Sequence, residues 1–302
     1  MRLRHIEVIQ AILQTGNLTA AAASLDLPST AVSATLQEAE QQLGYMLFAQ
    51  GRGRLQPTRE ALALENEFNR LYDGLEHIRR LACDLRQHQD PPLRVVCTPT
   101  LAQQLLPQSV AALRRRFRET PCSLSSQSNQ AIVRSLLLRD CDVGLSLEPC
   151  EHPAITGAAL VQGKLQLLAP HGWLQPKQKY IALQDLAGQT MIGLDGEDPL
   201  RRLLENRLQT LRPAPLIQTR VQTYPMMRSM VEAGEGLAVV DPFTALGARA
   251  AGLDMCPIAP AIPVTLYALT LREHEASPAL KTLLEILTEK AGALLASQAA
   301  RT

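Results

Sequence analysis

The stretch from residue 17 to residue 48 constrains the fold of this chain more than any other. Its first part contains four consecutive alanines, which favour a helix with a slim surface on which a second helix can lie. Asp26 and Pro28 interrupt this pattern, because proline lacks a backbone donor and restricts the residue before it. A second helical pattern over 29–42 ends at Gly44. The stretch therefore predicts two helices joined by a tight turn.

The second predicted helix has an apolar face and a hydroxyl-bearing face. Its apolar residues recur at helical spacing and are predicted to pack on the first helix; they are Val32, Leu36, Ala39 and Leu43, facing Ala22 and Leu25. Hydroxyl groups on the outer face suit the major groove, where they can hydrogen-bond base edges or phosphates. The basic hairpin tip at 50–55 adds arginines that can reach phosphates or a minor groove. The candidate DNA contacts are Thr19, Ser29, Thr30, Ser33, Arg52 and Arg54. The alternatives are an ordinary helical hairpin and a solvated turn.

The N-terminal region resembles the winged helix-turn-helix of the LysR-type transcriptional regulators, and the resemblance runs through most of the chain. The residues that carry it are Leu3, Gly16, Thr19, Ala21, Ala22, Leu25, Ala31, Val32, Ser33, Glu40, Leu43, Gly44, Leu47, Phe48, Leu55 and Thr58. Three positions depart from the family pattern. Pro28-Ser29 replaces the family's Ser-Gln pair, and Ala34 and Gln50 each replace an arginine. These departures bear on the strength and sequence preference of DNA binding.

A seven-residue repeat follows, at Ala61, Leu64, Phe68, Leu71, Leu75, Ile78, Ala82 and Leu85. Its alternating steps of three and four predict the seam of a coiled coil, with a long helix docked on its own domain as the alternative. In the resembled family this helix is the dimer linker. Pairing would place two recognition helices on the half-sites of a dyad-symmetric operator. Prolines 91 and 92 end the helix and begin a new domain.

The rest of the chain alternates between short apolar runs and helical patterns, which predicts parallel sheet with crossover helices. Strands are predicted at 93–97, 123–126, 142–147, 164–169, 190–194, 217–222 and 236–240. Helices are predicted at 101–118 with a break at Pro107, and at 129–139, 199–211, 226–233 and 278–296. This part resembles the effector domain of the same family, which has two α/β subdomains of periplasmic-binding-protein type.

The predicted fold class is therefore α/β multidomain. The expected domains are a winged helix-turn-helix at 1–59, a dimerising linker helix at 60–90 and an effector-binding domain at 91–302. By the resemblance, subdomain I takes 93–161 plus 265–302, and subdomain II takes 162–264.

Polar residues follow several predicted strands, where ligands bind in open α/β sheets and helix N-termini attract anions. In subdomain I they are Thr98, Thr100, Gln127, Ser128 and Asn129, which could hold a carboxylate or simply cap helices. In subdomain II they are Asp195, Thr223, Asp241 and Phe243. Asp241 is predicted to meet a cationic group, with Phe243 as an apolar wall, although a turn residue before Pro242 is the alternative. The run 234–245 resembles the branch of the family that senses lysine-related amino acids and opines.

Charge and composition narrow the function further. With 30 Lys+Arg against 29 Asp+Glu in 302 residues, any attraction to nucleic acid must be local. No run of about 18 apolar residues occurs, so we expect a cytoplasmic protein without a membrane partner. The six cysteines show no metal-ligand spacing, which predicts reduced, mostly buried thiols, no metal and no cofactor.

The sequence contains no GxSxG, Walker or HExxH motif, so no enzyme activity is expected. The prediction is a transcriptional regulator that binds double-stranded DNA and senses a small amino-acid-like or carboxylate effector. Its partners are itself, as a homodimer and by the resemblance a homotetramer, with RNA polymerase as a further candidate. The alternative is a cytoplasmic small-molecule-binding protein or enzyme whose N-terminal helices only dimerise.

Overall fold

The computed structural model describes residues 1–50, 54–65, 67–68, 71, 74–75, 78, 92–175, 178–196, 199–273 and 275–300. It divides into two compact units, Met1–Gln89 and Asp90–Thr302. Some sequence interpretations fall outside the described residues; they concern Arg52, Ala82, Cys83, Leu85 and Pro91.

The first unit contains three helices and a small hairpin. These elements are α1 (Leu3–Thr15), α2 (Leu18–Ser24), α3 (Ser29–Leu43), β1 (Phe48–Gln50) and β2 (Leu55–Pro57). Helices α2 and α3 confirm the two predicted helices, and β1 and β2 pair antiparallel as the predicted hairpin. Asp26 has a φ of 54°, a left-handed conformation that aspartate tolerates, and it lets the chain reverse between α2 and α3.

The core of the first unit confirms the predicted packing of α3. Val32 and Ala39 have no exposed surface, and they belong to one apolar cluster with Ala22 from α2 and with Ile9 and Ile12 from α1. Small side chains on α2 allow this close approach of the three helices.

Glu40 connects α3 to the hairpin from within the core. The residue is 6% exposed, and its Oε1 accepts hydrogen bonds from Leu47 N at 2.7 Å and Phe48 N at 3.2 Å. A second connection is Leu55 N, which donates to Gly16 O at 3.0 Å in the turn after α1. The hairpin is therefore fixed to the helices at both strands.

The described residues of the linker are helical at 59–65, 67–68, 71, 74–75 and 78. Ala61 and Phe68 are buried in the core of the first unit. Farther along, Leu71 is 54% exposed and Ile78 is 63% exposed. The apolar repeat thus continues beyond the part that the core of this unit covers.

The second unit begins with a five-stranded sheet, which forms subdomain I. Its strands are β3 (Leu93–Cys97), β4 (Cys122–Ser126), β5 (Val143–Ser146), β6 (Ile155–Lys164) and β13 (Pro263–Leu271), in the order β4-β3-β5-β13-β6. Strands β3, β4 and β5 are parallel, as predicted, and β13 is antiparallel to both of its neighbours.

Helices cover both faces of this sheet. They are α4 (Pro99–Gln103), α5 (Leu105–Arg116), α6 (Asn129–Leu137) and α9 (Pro278–Ala300). Leu105 on α5 and Leu287 on α9 lie in one core cluster, whereas Ile132 on α6 lies in another with Val96 and Leu269.

Subdomain II is built on two further sheets. Its elements are β7 (Gln166–Ala169), β8 (Ile181–Ala182), β9 (Thr190–Leu194), α7 (Pro199–Leu208), β10 (Leu216–Val221), α8 (Tyr224–Glu232), β11 (Ala238–Val240) and β12 (Asp254–Ala259). One sheet has the order β11-β7-β12-β8, and β9 and β10 form a parallel pair. Strands β6 and β13 lead between the subdomains and pair along their whole length.

The fold differs from the sequence prediction in three respects. The sheets are mixed, because β7 pairs antiparallel with both β11 and β12. The pattern also did not reveal β6, β8, β12 or β13. The helix predicted at 101–118 breaks at Gln104 and not at Pro107. Pro107 is the third residue of α5, where its missing N–H has no helical acceptor to lose.

We expect Glu40→Ala to lower the free energy of unfolding of the first unit by about 2 kcal/mol or more, because two buried N–H groups lose their acceptor. Urea unfolding of the full chain, followed by far-UV circular dichroism, measures this loss. Glu40→Gln keeps one acceptor oxygen and should lose less. Equal stability of the alanine variant and the parent would contradict this role.

Candidate functional site

The hydroxyl-bearing surface of the first unit lies at the start of α3. Ser29 and Thr30 are exposed and Ser33 is half-buried, in agreement with the predicted outer face. Thr19 is exposed in the first turn of α2, where its N–H donates to Asn17 Oδ1 at 2.8 Å. Arg54 is exposed beside β2, whereas Arg52 lies outside the described residues. The described candidates therefore all have solvent-facing surface, and their roles stay predictions.

The second unit contains a cleft of about 640 Å³ between its two subdomains. One wall follows the carboxyl ends of β3, β4 and β5, and the other follows those of β9 and β10. The lining residues are Thr98, Pro99, Thr100, Ser126, Gln127, Ser128, Asn129, Gln130, Leu147, Glu148, Leu194, Asp195, Gly196, Gln222, Thr223 and Tyr224. Its volume lies within the range of about 300–1,000 Å³ that small-molecule sites occupy.

Two nine-residue helices begin at this cleft, one on each wall. Ser128 caps α6 by accepting from Ala131 N at 3.4 Å, and Thr223 caps α8 by accepting from Met226 N at 3.3 Å. Helix N-termini present N–H groups and a partial positive charge, which favour an anion. Each wall of the cleft thus presents one helix N-terminus, which favours an anion.

Seven of the nine predicted effector residues lie in this cleft: Thr98, Thr100, Gln127, Ser128, Asn129, Asp195 and Thr223. Hydrogen bonds fix several of them from behind. Gln127 N donates to Cys97 O at 3.0 Å, and Asn129 Oδ1 accepts from the buried hydroxyl of Ser146 at 2.7 Å. The strand-end rule therefore located most of the cleft, although effector contact by these residues stays a prediction.

Glu148 lines the cleft and was missed from the sequence. It follows β5, and its N–H donates to Ser146 Oγ at 2.8 Å in a tight turn. The signal was present, because β5 was predicted as a strand parallel to β3, and the residues after it must reach the same sheet edge.

Asp241 and Phe243 do not line the cleft, so the prediction that they form its cationic counter-site and apolar wall is wrong. Asp241 has no exposed surface, and Phe243 is 4% exposed within the core of subdomain I. The carboxylate of Asp241 instead accepts hydrogen bonds from Thr100 and Thr244. Burial raises the pKa of Asp241, and these hydrogen bonds oppose that shift.

The charged residues that line the cleft are both acidic. Glu148 and Asp195 bring carboxylates to opposite walls, and none of the lining residues that the structure describes is lysine, arginine or histidine. The cleft therefore combines two carboxylates with two helix N-termini.

The described cysteines are free, and Cys97, Cys141 and Cys256 are buried, as predicted. Burial raises the pKa of the Cys97 and Cys141 thiols to about 12 and that of Cys256 to about 11. Because the thiolate is the reactive form, these three side chains act as small apolar core residues.

Two kinds of feature are absent from the described residues. No cluster of three or more histidine, cysteine, aspartate or glutamate side chains there has the arrangement of a metal site. Within that same part of the chain, no helix combines the length and apolar character needed to cross a bilayer.

Nearly the whole chain is similar to regulators of one family. Residues 3–62 match the family described as bacterial regulatory helix-turn-helix protein, lysR family, and residues 86–292 match the LysR substrate binding domain. The regulator LysR of Escherichia coli is 31% identical over 267 residues, which are 88% of this chain and 86% of that protein. The regulator DgcR of a Pseudoalteromonas species is 29% identical over 288 residues, 95% of this chain and 99% of its own.

The fold agrees with that of solved structures. The crystal structure of CbnR, a LysR family transcriptional regulator, superposes with a TM-score of 0.70 at 19% identity, covering 96% of this chain and 99% of CbnR. CbnR complexed with its target DNA gives a TM-score of 0.67 at the same identity, covering 96% and 99%.

A helix-turn-helix unit followed by a two-subdomain unit with a ligand-sized cleft defines a DNA-binding transcriptional regulator with an effector-binding domain. The chain belongs to the LysR family of transcriptional regulators. The prediction that it is not an enzyme is confirmed, because its relatives are regulators.

Proposed function

We propose that the effector of this LysR-type regulator is a small amino-acid-like molecule that carries a positively charged amine. We further propose that the protein binds a dyad-symmetric operator as a homodimer, which pairs into a homotetramer, and that it acts on RNA polymerase. The single observation that carries the effector proposal is the chemistry of the cleft.

The charges of the lining residues support an effector with an amine. Glu148 and Asp195 are carboxylates on opposite walls, and the described lining has no basic side chain. An effector with carboxylates alone would bring its negative charge towards these two groups, which is unfavourable in a partly closed cleft. An amine placed between them would be stabilised by both.

The carboxylate of the same molecule would bind at the helix ends. Ser128 and Thr223 lie at the N-termini of α6 and α8, where N–H groups and the helix dipole favour an anion. Among the relatives is a protein named for octopine catabolism and uptake, OccR of Rhizobium meliloti, which is 25% identical over 252 residues. Its name supports the nitrogen-containing class of effector.

The dimer proposal rests on the linker. Leu71 and Ile78 belong to the apolar seven-residue repeat, and both are more than half exposed in the single chain. A second copy of the same helix would cover them in a coiled coil. Pairing of two chains also supplies the two recognition helices that a dyad-symmetric operator requires.

We expect Leu71→Glu combined with Ile78→Glu to convert the dimer to a monomer, because the two carboxylates would lie within the apolar seam. Light scattering after size-exclusion chromatography measures the mass. Leu62→Glu is the matched control, since Leu62 is 52% exposed but lies outside the repeat. A double variant that keeps the parent's mass would contradict the seam.

Operator binding should be most sensitive to α3 and the hairpin. Measured by fluorescence anisotropy, Thr30→Ala should weaken binding to the DNA upstream of the protein's own gene more than binding to scrambled DNA. Arg54→Ala should weaken both and reduce the salt slope by about 1, because it removes a phosphate contact.

Arg118→Ala removes an exposed arginine from the second unit and serves as the control for this experiment. Equal, weak binding of the parent to both DNAs would mean that the departures at Pro28, Ala34 and Gln50 have removed its specificity.

The effector class can be tested by thermal unfolding with L-lysine, L-arginine, succinate and benzoate. A bound amino acid at 100 times its Kd stabilises by about 2.7 kcal/mol, a shift of roughly 5 °C, whereas the two acids without an amine should give none. Asp195→Asn and Glu148→Gln should each reduce the shift.

Asp185→Asn is the matched control for these variants, since Asp185 is exposed in subdomain II and is not among the cleft residues. Stabilisation by succinate or benzoate alone would replace the amine-bearing class with a simple carboxylate.

A further inference from the structure

A buried carboxylate behind the cleft accepts hydrogen bonds from both subdomains. Oδ1 of Asp241 accepts from Phe243 N at 2.8 Å and Thr244 N at 2.9 Å. Oδ2 accepts from Thr244 Oγ1 at 2.6 Å and Thr100 Oγ1 at 3.2 Å. Thr100 belongs to α4 of subdomain I, whereas Asp241 follows β11 of subdomain II. The carboxylate therefore connects the two subdomains directly.

The segment 241–248 that carries this carboxylate is packed into both subdomains. Phe243 and Leu246 lie in the core cluster of subdomain I, and Ala245 and Ala248 lie in a core cluster of subdomain II. Because the side chains alternate between two cores, this segment is held on each side. It forms a connection between the subdomains in addition to strands β6 and β13.

Backbone carbonyls of the same segment also accept hydrogen bonds from both subdomains. Leu246 O accepts from Gln104 Nε2, next to α4, at 3.4 Å and from Arg228 Nη1, on α8, at 2.6 Å. Arg228 Nη1 also lies 3.3 Å from Thr244 O. The segment 241–248 is thus hydrogen-bonded to the two helices whose first turns form part of opposite walls of the cleft.

The geometry points to Asp241 as a positioning residue for the cleft. Thr100 is both a lining residue and the donor to Asp241, so the carboxylate holds the turn 98–100 in place from behind. The same carboxylate fixes Thr244, whose carbonyl, with that of Leu246, holds α8 through Arg228. Asp241 sets the separation of the two walls and touches no effector, since it has no exposed surface.

The inference rests on the proposed function of the cleft as the effector site. Its test is hydrogen–deuterium exchange of the full chain without any effector, so the two proposals can fail separately. Failure of the positioning role would appear in the exchange of the variants and would leave effector titration of the parent unchanged. Failure of the proposed effector class would appear in that titration and would leave the exchange result unchanged.

The principal variant is Thr100→Val, which keeps the shape of the side chain and removes the hydroxyl. We expect backbone amides in 98–104 to exchange at least tenfold faster, because the turn loses its hydrogen bond to the buried carboxylate. Amides in β5 and β9 should keep their rates. Thr100→Ser retains the hydroxyl and should restore the exchange of the parent.

Thr288→Val is the matched control, because it removes a hydroxyl that bonds only Leu284 O of its own helix, α9, in the same subdomain. Thr244→Val removes the shortest bond to Asp241 and should also accelerate exchange in 98–104. Since both threonines act through Oδ2, the double variant should exchange little faster than the faster single variant.

Three results would overturn the positioning role. They are unchanged exchange of 98–104 in Thr100→Val, equal acceleration throughout the unit including β5 and β9, and a serine variant as fast as the valine variant. The second result would assign the threonine to general stability, and the third would assign its effect to packing.

Discussion

A buried carboxylate that must be saturated with hydrogen-bond donors organises each of the two units. Removing a charge from water is costly, so such a group persists only where donors surround it. Glu40 meets this requirement with two N–H groups of the hairpin, and Asp241 with two N–H groups and two hydroxyls. In each case at least one donor belongs to a different element from the carboxylate, so satisfying the charge also fixes the position of that element.

Local hydrophobic periodicity was sufficient to predict the elements whose own residues carry the pattern. Helix α3 and its buried face were predicted from Val32, Leu36 and Ala39, and β9 was predicted at its observed bounds. Strands β6 and β13 were not, because much of β6 is exposed and its partner lies far along the chain. Pairing at such sequence separation leaves no local pattern, and the predicted parallel sheet consequently proved to be mixed.

One rule of sheet geometry predicted most of the cleft residues that were identified from the sequence. Residues after the parallel strands β3, β4, β9 and β10 lie at the cleft, as the rule requires. Asp241 follows β11, which pairs antiparallel with β7, so its position at a strand end carries no such implication. Its burial depends on Phe243 entering a core that includes residues of β3, α4 and α5, more than a hundred positions away, which composition alone could not reveal.

The side chains that face the cleft and those that hold it together are almost entirely different. Ser128, Glu148 and Asp195 line the space, whereas Asp241 and Thr244 are buried behind it. After gene duplication, substitutions on the cleft surface can therefore change which metabolite a descendant recognises while the buried scaffold is inherited unaltered. Within this architecture, new specificities can evolve without a new way of holding the two walls apart.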